Sequence, residues 1–281
     1  MSLPFRKLAL GGGGAKGILH LGALQELSKY QKLDFPDGVY GCSIGSVIAT
    51  VVAFDLPIDP KLIELTKEHL SINKVTPKLT FNDITHSLSH KGIFTMDLFE
   101  EKICLIFGEL GLDIRNKKIR DAKMPLYIIA SNISKGIPTI FTKDVPILSA
   151  LKCSCCIPGV FKPQELYGQI YIDGDIFTPS IGVTQPDALE ISLKTNIIEK
   201  ITPENIGGMS PLIYMRQIFN MSIINFIEIQ KTDLTLELIY PDLMSDSDLD
   251  DFNIDDILQV AGESMRSFLI TKSFLKELPK I

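Results

Sequence analysis

Histidine is scarce in this sequence and is missing from its later part. The chain has 281 residues, yet its only histidines are His20, His69, His86 and His90. An α/β-hydrolase triad follows the chain order Ser, then Asp or Glu, then His, so its histidine falls late. The lack of any histidine beyond His90 argues against that triad. It favours a carboxylate as the base for a nucleophilic serine, unless the polar segment around His86 supplies a Ser-His pair.

The chain also has no tryptophan and no excess of basic charge. Its 28 Lys and Arg residues are outnumbered by 34 Asp and Glu residues, which gives a formal net charge of −6. A nucleic-acid backbone is bound mainly by clustered Lys and Arg side chains. The composition therefore predicts that the protein has no nucleic-acid partner.

The five cysteines form neither a disulfide framework nor a metal site. Their number is odd, and Cys153, Cys155 and Cys156 crowd into four positions, which suits a reducing compartment better than disulfide pairing. A zinc site would need a second cysteine pair or a histidine downstream. We therefore predict no metal site here and interpret the cysteines as small buried residues.

The acidic stretch 246–251 does not fit a calcium loop of the EF-hand type. Its sixth position is Asp251 rather than glycine, and its twelfth is Ile257 rather than glutamate. We interpret the region from Asp242 to Asp251 as a solvated loop that precedes a final helix. Asn253 or Asp255 is expected to cap that helix.

Long apolar runs are missing as well. The first residues lead directly into a short strand and a glycine loop, with no secretory signal, so the default location is cytoplasmic. The most apolar candidate for a membrane span, residues 211–230, carries polar and charged side chains throughout. These are too many for a bilayer-spanning helix, and the segment is interpreted as a core helix or an interfacial one.

What the sequence does contain is an alternation of strands and helices. A strand at 7–10, a glycine loop and a helix at 17–30 are followed by a strand ending at Gly41 and a helix at 46–54. Further strands are predicted at 126–130, 139–141, 169–172, 188–193 and 234–240. Helices are predicted at 96–107, at 147–156, after Pro211 and at the end of the chain. This alternation predicts an α/β fold with a parallel sheet.

No linker or repeat divides the chain, so we predict one domain over 1–281. Its core motifs span about 7–193, and a C-terminal helical extension covers about 208–281. The segment 56–95 is polar and carries several prolines and the sequence HSLSH. It is predicted to form helical pieces and loops, and it is the natural position for a lid over a site.

The sequence Gly41-Cys42-Ser43-Ile44-Gly45 matches G-x-S-x-G between a strand and an apolar helix. In that context the pattern predicts a sharp turn that exposes the serine hydroxyl over a helix N-terminus. Gly41 and Gly45 allow the backbone to approach closely on both sides. The amides of the helix N-terminus favour developing negative charge. A plain strand-to-helix turn of small residues is the alternative.

A second glycine motif, Gly12 to Gly17, also follows a strand and precedes a helix. Read as G-x-G-x-x-G, it is the dinucleotide-binding fingerprint, with Asp34 near the expected acidic position. Under that interpretation the protein would be a nucleotide-dependent oxidoreductase, and the G-x-S-x-G match would be a coincidence. Amides of the same loop can instead bind the oxyanion of an ester intermediate. The second interpretation uses both motifs together.

The candidate base is Asp173, which follows the strand at 169–172 and precedes Gly174 and Asp175. A carboxylate near its usual pKa of about 3.9 is a weak base in water. Within hydrogen-bond reach of a serine it can nevertheless accept the proton as attack proceeds. Considered alone, Asp173 would be an ordinary turn aspartate, and it gains significance from the two glycine motifs.

These motifs in this order resemble the patatin-like phospholipases, whose pattern is G-G-G-x-[RK]-G, G-x-S-x-G and then D-G-[GA]. Residues 150–163, ALKCSCCIPGVFKP, are similar to the family segment that precedes the catalytic aspartate. The resemblance runs from about Lys7 to about Leu193, and YPDL at 240–243 with the closing helix is similar to the family's end. It implies a patatin-like three-layer sandwich with a mostly parallel central sheet and helices on both faces.

The resemblance also implies roles for individual residues. Ser43 is then the nucleophile and Asp173 the base of a Ser-Asp dyad. The oxyanion hole is formed by amides of Gly12, Gly13 and Gly14. The residues that complete the motifs are Lys16, Gly17, Gly41, Gly45 and Gly174. The implied activity is hydrolysis of acyl esters in phospholipids or related lipids through an acyl-serine intermediate, without metal or organic cofactor and with transient contact to a membrane surface.

Asp175 departs from the family pattern, which has Gly or Ala two positions after the base. A second carboxylate is expected to raise the pKa of Asp173 or to crowd the substrate. The sequence therefore keeps a second possibility, a catalytically impaired patatin-like protein that binds acyl lipids without hydrolysing them.

Overall fold

The computed structural model describes residues 4–77, 91–194, 201–209, 232–243 and 247–275. Its strands are β1 (Lys7–Leu10), β2 (Gly38–Cys42), β3 (Gly92–Phe94), β4 (Leu126–Asn132), β5 (Ile137–Phe141), β6 (Gly159–Phe161), β7 (Gln164–Leu166), β8 (Gln169–Ile172), β9 (Leu189–Leu193) and β10 (Thr235–Leu238). Its helices are α1 (Ile18–Leu27), α2 (Ile44–Ala53), α3 (Pro60–His69), α4 (Ile72–Val75), α5 (Asp97–Glu109), α6 (Ile147–Ser154) and α7 (Ile254–Thr271).

The central sheet has 8 strands in the order β10-β9-β1-β2-β4-β8-β7, and β5 also pairs with β4. The strands from β10 to β4 run parallel. β5 and β8 run antiparallel to β4. Parallel pairing from β10 to β4 requires crossover connections, and α1 and α2 supply two of them. The α/β class and the mostly parallel sheet are as predicted from the sequence.

One face of the sheet carries the main hydrophobic core. Residues such as Leu8, Leu10 and Ile128 on this face are completely buried and belong to the same cluster as the apolar side chains of α1, α2 and α6. Strands covered in this way are apolar at almost every position. Because β2 is buried along its whole length and α2 begins two residues after it ends, the turn between them has little freedom.

The opposite face has a smaller cluster. Ala9, Tyr40, Cys42 and Ile129 project there from β1, β2 and β4 and pack against apolar residues of the segment 174–188. In the described part of the chain, this face is therefore covered by the segment that follows β8. The helix predicted after Pro211 falls on residues 210–231, outside the described ranges.

Most of the predicted elements are found, with boundaries shifted by a few residues. Helix α1 is shorter than the predicted 17–30 and is preceded by a 3-10 turn at Gly14–Gly17. Helix α2 begins at Ile44, earlier than predicted. The helix of 96–107 is α5, and Asn253 caps α7 by accepting a hydrogen bond from the Asp255 amide at 3.1 Å. The short strands β3, β6 and β7 were not predicted.

The segment 56–95 contains α3, α4 and β3, and its residues 78–90 lie outside the described ranges. Leu62 and Leu65 of α3 are buried in the main core. The lid, the single domain over 1–281 and the helical extension over 208–281 stay predictions.

The acidic loop is more than a solvated segment. Leu249 is completely buried, and Lys74 Nζ lies 2.9 Å from Asp250 Oδ2 and 3.9 Å from Asp248 Oδ2. The prediction missed this docking because these residues are far apart along the chain. Exposed ion pairs of this kind contribute at most about 1 kcal/mol, so the buried leucine is the stronger anchor.

No helix within the described ranges is both long and apolar enough to cross a membrane.

Candidate active site

Ser43 lies in the turn between β2 and α2 with a backbone conformation that is unusual for a residue with a side chain. Its φ is 49° and its ψ is −131°. Close backbone approach forces the turn to be this sharp. A Cβ at Gly45 would collide with the carbonyl groups of Leu10 and Gly11. Strain of this kind persists only where the surroundings hold it.

Ser154 and Ser46 hold the backbone of Ser43. The Ser43 amide donates to Ser154 Oγ at 3.0 Å, and that hydroxyl donates onward to the Ile129 carbonyl at 2.6 Å. Ser46 Oγ donates to the Ser43 carbonyl at 2.6 Å. From the sequence, Ser154 is notable only as a member of the block at 150–163 that resembles the family segment, and that resemblance assigns it no role.

Asp173 is brought to Ser43 by the topology of the sheet. Strand β2 ends at Cys42, opposite Ile129 of β4. β8 enters the space beyond that end, running antiparallel to β4 with Ile172 opposite Ser131. The chain therefore leaves β8 directed back towards the end of β2. The Asp173 amide donates to the Cys156 carbonyl at 2.8 Å, and this hydrogen bond holds the backbone of Asp173 in position.

The two side chains meet in a buried hydrogen bond. Ser43 Oγ donates to Asp173 Oδ2 at 2.6 Å, and the residues are only 7% and 4% exposed. The other carboxylate oxygen, Oδ1, accepts from the Asp175 amide at 3.0 Å. Both oxygens are thereby oriented. Gly174 makes room for the arrangement, because a Cβ there would collide with Cys42 Sγ and the Ile129 carbonyl.

The electrostatic setting of Asp173 favours its protonated form. Burial raises its pKa well above the usual range, and the nearby charge of Asp175 raises that pKa further. The hydrogen bonds from Ser43 and from the Asp175 amide act in the opposite direction. The direction of the Asp175 effect agrees with the expectation from the sequence.

The glycine loop lies against the first turn of α2. Gly13 and Gly14 have φ values of 155° and 58°, and Gly17 packs against the side chain of Ile44. Gly41 is equally confined, because a Cβ there would stand 2.5 Å from Ser46 Cα. The loop thus borders the turn that carries Ser43. One of its amides already has a partner, since Gly12 N donates to Asp175 Oδ1 at 3.3 Å.

Lys16 and His20 support the loop from inside. Lys16 is 3% exposed; burial lowers its pKa to about 8, and attraction to Asp175 acts against that fall. His20 is fully buried, with Nε2 2.9 Å from the Gly11 carbonyl, and burial lowers its pKa to about 4. A neutral imidazole that donates through Nε2 fits this contact. The sequence suggested no role for His20, although it lies only three residues after the loop.

One group of side chains near the site has the donor atoms of a metal site. The ligand atoms of Cys42, Asp173 and Asp175 lie within 4.8 Å of one another. A cysteine binds metal as thiolate, whereas burial raises the pKa of the Cys42 thiol well above its ordinary value. Both carboxylates are already engaged by hydrogen bonds to Ser43 and Gly12. The group does not fit a resident cation.

Comparisons with known proteins agree with the fold and the motifs. The sequence model of the patatin-like phospholipase family matches residues 8–179 of this chain. The crystal structure of VipD from Legionella pneumophila superposes with a TM-score of 0.56 and 16% identity, over 96% of this chain and 68% of that one. At that identity the similarity concerns the fold alone.

Curated relatives match a similar region. An uncharacterised NTE family protein of Mycobacterium tuberculosis is 28% identical over 178 residues, which cover 63% of this chain and 44% of the relative. An uncharacterised protein of Acanthamoeba polyphaga mimivirus is 30% identical over 175 residues, 60% of this chain and 57% of its own. Lysophospholipase NTE1 of Saccharomyces cerevisiae is 26% identical over 182 residues, 63% of this chain and 10% of its own.

The match thus spans less than two thirds of each of these relatives. The family match, in contrast, covers more than half of this chain and includes both glycine motifs, Ser43 and the Asp173-Gly174 pair. The chain belongs to the patatin-like phospholipase family.

Proposed function

We propose that this protein is a lipid acyl hydrolase that cleaves acyl esters of phospholipids or related lipids through a Ser43–Asp173 dyad. The observation that carries the proposal is the buried hydrogen bond of 2.6 Å from Ser43 Oγ to Asp173 Oδ2. A nucleophile and base within hydrogen-bond reach, with the base oriented by a further group, are the signature of nucleophilic catalysis. Here the Asp175 amide orients the base.

The proposed reaction has two halves. Ser43 Oγ attacks the ester carbonyl while its proton passes to Asp173 Oδ2, and a tetrahedral oxyanion forms. When the intermediate collapses, the leaving alcohol takes that proton and the acyl group stays on Ser43. Water then attacks the acyl-serine and gives its proton to Asp173, which returns it to Ser43 as the fatty acid leaves. No metal or organic cofactor enters either half.

Two features support stabilisation of the oxyanion. The N-terminus of α2 directs its dipole and backbone amides to the turn of Ser43. The amides of Gly12, Gly13 and Gly14 belong to the loop that borders that turn. Each oxyanion donor of this type is worth about 2.7–4 kcal/mol in known enzymes. We assign these three amides to the oxyanion hole.

The choice of a carboxylate base is supported by the state of His20, a buried histidine beside the glycine loop; His86 and His90 lie outside the described residues. His20 is neutral and engaged with the Gly11 carbonyl. The raised pKa of Asp173 makes it a stronger base than an ordinary aspartate once it is ionised. Hydrolysis should therefore fall as pH drops through this raised pKa, because the protonated carboxyl group cannot accept the serine proton.

The lipid class of the substrate is supported by the family and by the names of relatives. NTE1 of Saccharomyces cerevisiae is called a lysophospholipase, and a relative from Invertebrate iridescent virus 6, 28% identical over 188 residues, is called a probable lipid hydrolase. We extend this substrate class to the present chain. A cytoplasmic location belongs to the same proposal and is consistent with five free, buried cysteines.

We also propose that the protein touches the membrane through a turn surface formed by Ile133, Ile137 and Tyr167. These side chains are 44%, 50% and 68% exposed. They lie in or beside the β4–β5 and β7–β8 turns, and the first of these turns is tied to β8 because the Ile133 amide donates to the Ile170 carbonyl at 3.0 Å. Ile133 follows Ile129, which is opposite the last residue of β2, by four residues along the chain. At about 3.3 Å per residue, Ile133 therefore lies about 13 Å beyond the end of β2. The turn surface and Ser43 thus share one edge of the sheet.

A second candidate function is acyl-lipid binding without hydrolysis. It is favoured by a single observation, the hydrogen bond between Asp175 and the Gly12 amide. A carboxylate there competes with the oxyanion for the same donor. In that case Ser43 and Asp173 would be intact but the protein would turn over substrate slowly or not at all.

Labelling and hydrolysis together test the proposal. A fluorophosphonate probe should label the protein at Ser43, and hydrolysis of a panel of phospholipids, lysophospholipids and glycerides should release fatty acid. Ser43→Ala and Asp173→Asn should each lower hydrolysis by about 10⁴-fold or more, as loss of a nucleophile or its partner does in serine hydrolases. Hydrolysis that survives in the Ser43→Ala protein would rule out the dyad.

Matched controls separate chemistry from folding. Ser264→Ala removes a hydroxyl that donates to Val260 on helix α7, and Asp187→Asn removes an exposed carboxylate paired with Lys7. They repeat the Ser→Ala and Asp→Asn changes of the test variants at positions outside the site. Both should retain full activity, and all four variants should show similar thermal unfolding.

A further inference from the structure

Asp175 follows the proposed base by two residues, and its side chain reaches the glycine loop. Its Oδ1 atom accepts a hydrogen bond from the Gly12 amide at 3.3 Å. The fit is close, because three atoms of the carboxyl group lie within 2.7 Å of the point where a Cβ on Gly12 would stand. A side chain at position 12 would therefore displace the carboxylate.

The charges around Asp175 favour this position. Lys16, buried in the same loop, attracts it. Asp173 and Cys42 are also close, since their ligand atoms and that of Asp175 lie within 4.8 Å of one another. Burial raises the pKa of Asp175, and the hydrogen bonds from Cys42 and the Gly12 amide, together with the charge of Lys16, act against that rise and favour the ionised carboxylate in this position.

A carboxylate oxygen and an oxyanion make the same demand on an amide. Each is a negatively charged acceptor, and an amide donor serves it at about 2.7–3.1 Å. The Gly12 amide is one of those assigned above to the tetrahedral intermediate. One N–H cannot serve two such acceptors at full strength, so a substrate carbonyl must displace Asp175 before this donor can act on it.

We infer that Asp175 is a specificity-determining residue, whose carboxylate occupies the Gly12 amide until a long-chain acyl substrate displaces it. This inference rests on the proposed hydrolase function. Binding energy from parts of a substrate remote from the reacting bond can drive such a displacement. A long acyl chain supplies more of it than a short one, since every buried methylene adds to the binding. Asp175 thereby disfavours short esters.

The test uses two esters with one leaving group, p-nitrophenyl butyrate and p-nitrophenyl laurate. Asp175→Gly frees the Gly12 amide, and it should raise kcat/KM for butyrate at least about tenfold, part of the 10²–10³ that one oxyanion donor is worth. The gain for laurate should be at least about threefold smaller, because the long chain already displaces the carboxylate. Asp175→Ala should behave in the same way and serves if the glycine variant folds poorly.

Asp175→Asn is the matched control for charge and shape. It keeps an oxygen acceptor of the same size beside Gly12, so it should recover less butyrate activity than Asp175→Gly. Both variants remove the charge that helps to raise the pKa of Asp173. The acid limb of kcat/KM should therefore move to lower pH in both. An acid limb that stays in place would show that Asp175 carries no charge beside Asp173, and it would contradict the ionised carboxylate that the inference places at the Gly12 amide.

Two further outcomes would overturn the inference. One is an unchanged or lower butyrate rate in both the glycine and the alanine variants, and the other is an equal gain for the two esters. Failure of the Asp175 inference can be distinguished from failure of the hydrolase proposal. If neither the unmodified protein nor any variant hydrolyses ester or reacts with fluorophosphonate at Ser43, the hydrolase proposal fails and takes this inference with it.

Discussion

Ser43 depends on Ser154 as well as on its own motif. The Ser154 hydroxyl bridges the Ser43 amide and the Ile129 carbonyl, and all three groups are buried. The bridge joins the strained turn to the centre of the sheet. It gives a physical reason for a serine within the block at 150–163, which resembles the family segment before the base.

Ser154→Ala should lower kcat about tenfold and leave KM nearly unchanged, since it shifts the nucleophile without touching the substrate. It leaves the Ser43 amide and the Ile129 carbonyl without their shared partner. The free energy of unfolding should fall by about 1–3 kcal/mol. Steady-state kinetics and chemical denaturation measure the two effects. Ser264→Ala, the control, should change the free energy of unfolding by less than about 0.5 kcal/mol, and an unchanged kcat in Ser154→Ala would contradict the bridge.

At the residue scale, the sequence pointed to the dyad and to Asp175 beside it, but not to the contacts that hold them. Ser43 and Asp173 could be proposed because each stands in a short motif. The contacts of Ser154 with Ser43 and of Asp175 with Gly12 join residues 111 and 163 positions apart. No spacing rule predicts such contacts, because they depend on how β8 and α6 pack against the end of β2.

Among the elements, β8 has the largest part in assembling the site. It runs antiparallel in a sheet that is otherwise parallel from β10 to β4, and it fills the space beyond the end of β2. The sequence predicted this strand and the aspartate after it. Its direction could not be read from the sequence, because parallel and antiparallel neighbours are distinguished by the connections and by packing.

The first turn of α2 and the end of β1 are in backbone contact at Gly45. Gly45→Ala should lower the free energy of unfolding by about 1–3 kcal/mol, as overpacking does in a core, and should slow labelling of Ser43. Chemical denaturation and fluorophosphonate labelling provide the measurements. Gly108→Ala is a matched control, because that helical glycine has no atom within 4 Å of an added Cβ. It should stabilise the protein by about 0.5–1 kcal/mol, and equal effects of the two substitutions would contradict the assignment.

The elements that the sequence missed share a physical cause. β3, β6 and β7 each have three residues, too few to show an alternation of apolar and polar positions. They exist because tertiary packing supplies a partner strand. β1, β2 and β4 were found because burial on both faces makes them largely apolar, whereas β9 alternates apolar residues with Glu190 and Ser192.

At the scale of the whole molecule, the turn surface is the proposed site of contact with lipid. Replacing Ile137 and Tyr167 together by serine should weaken binding to phosphatidylcholine vesicles at least about tenfold, since burying a large apolar side chain is worth about 1.5–3 kcal/mol. Vesicle flotation measures the binding. Hydrolysis of vesicle substrate should fall with it, while labelling of Ser43 by a soluble fluorophosphonate should not change.

Leu105→Ser is the control for that experiment. Leu105 is 38% exposed on α5, and it does not belong to the β4–β5 or β7–β8 turns. Its replacement should leave vesicle binding intact. Equal loss in the control and in the double variant would show that the protein has no preferred face towards lipid.

The way in which β8 delivers Asp173 also has a consequence for synthesis of the chain. Ser43 and Asp173 are 130 positions apart, so the nucleophile leaves the ribosome well before its base. At about 5–20 residues per second the delay is on the order of ten seconds. On the proposed mechanism, the nascent chain carries a nucleophile without its base during that time, so hydrolysis cannot begin before Asp173 has left the ribosome.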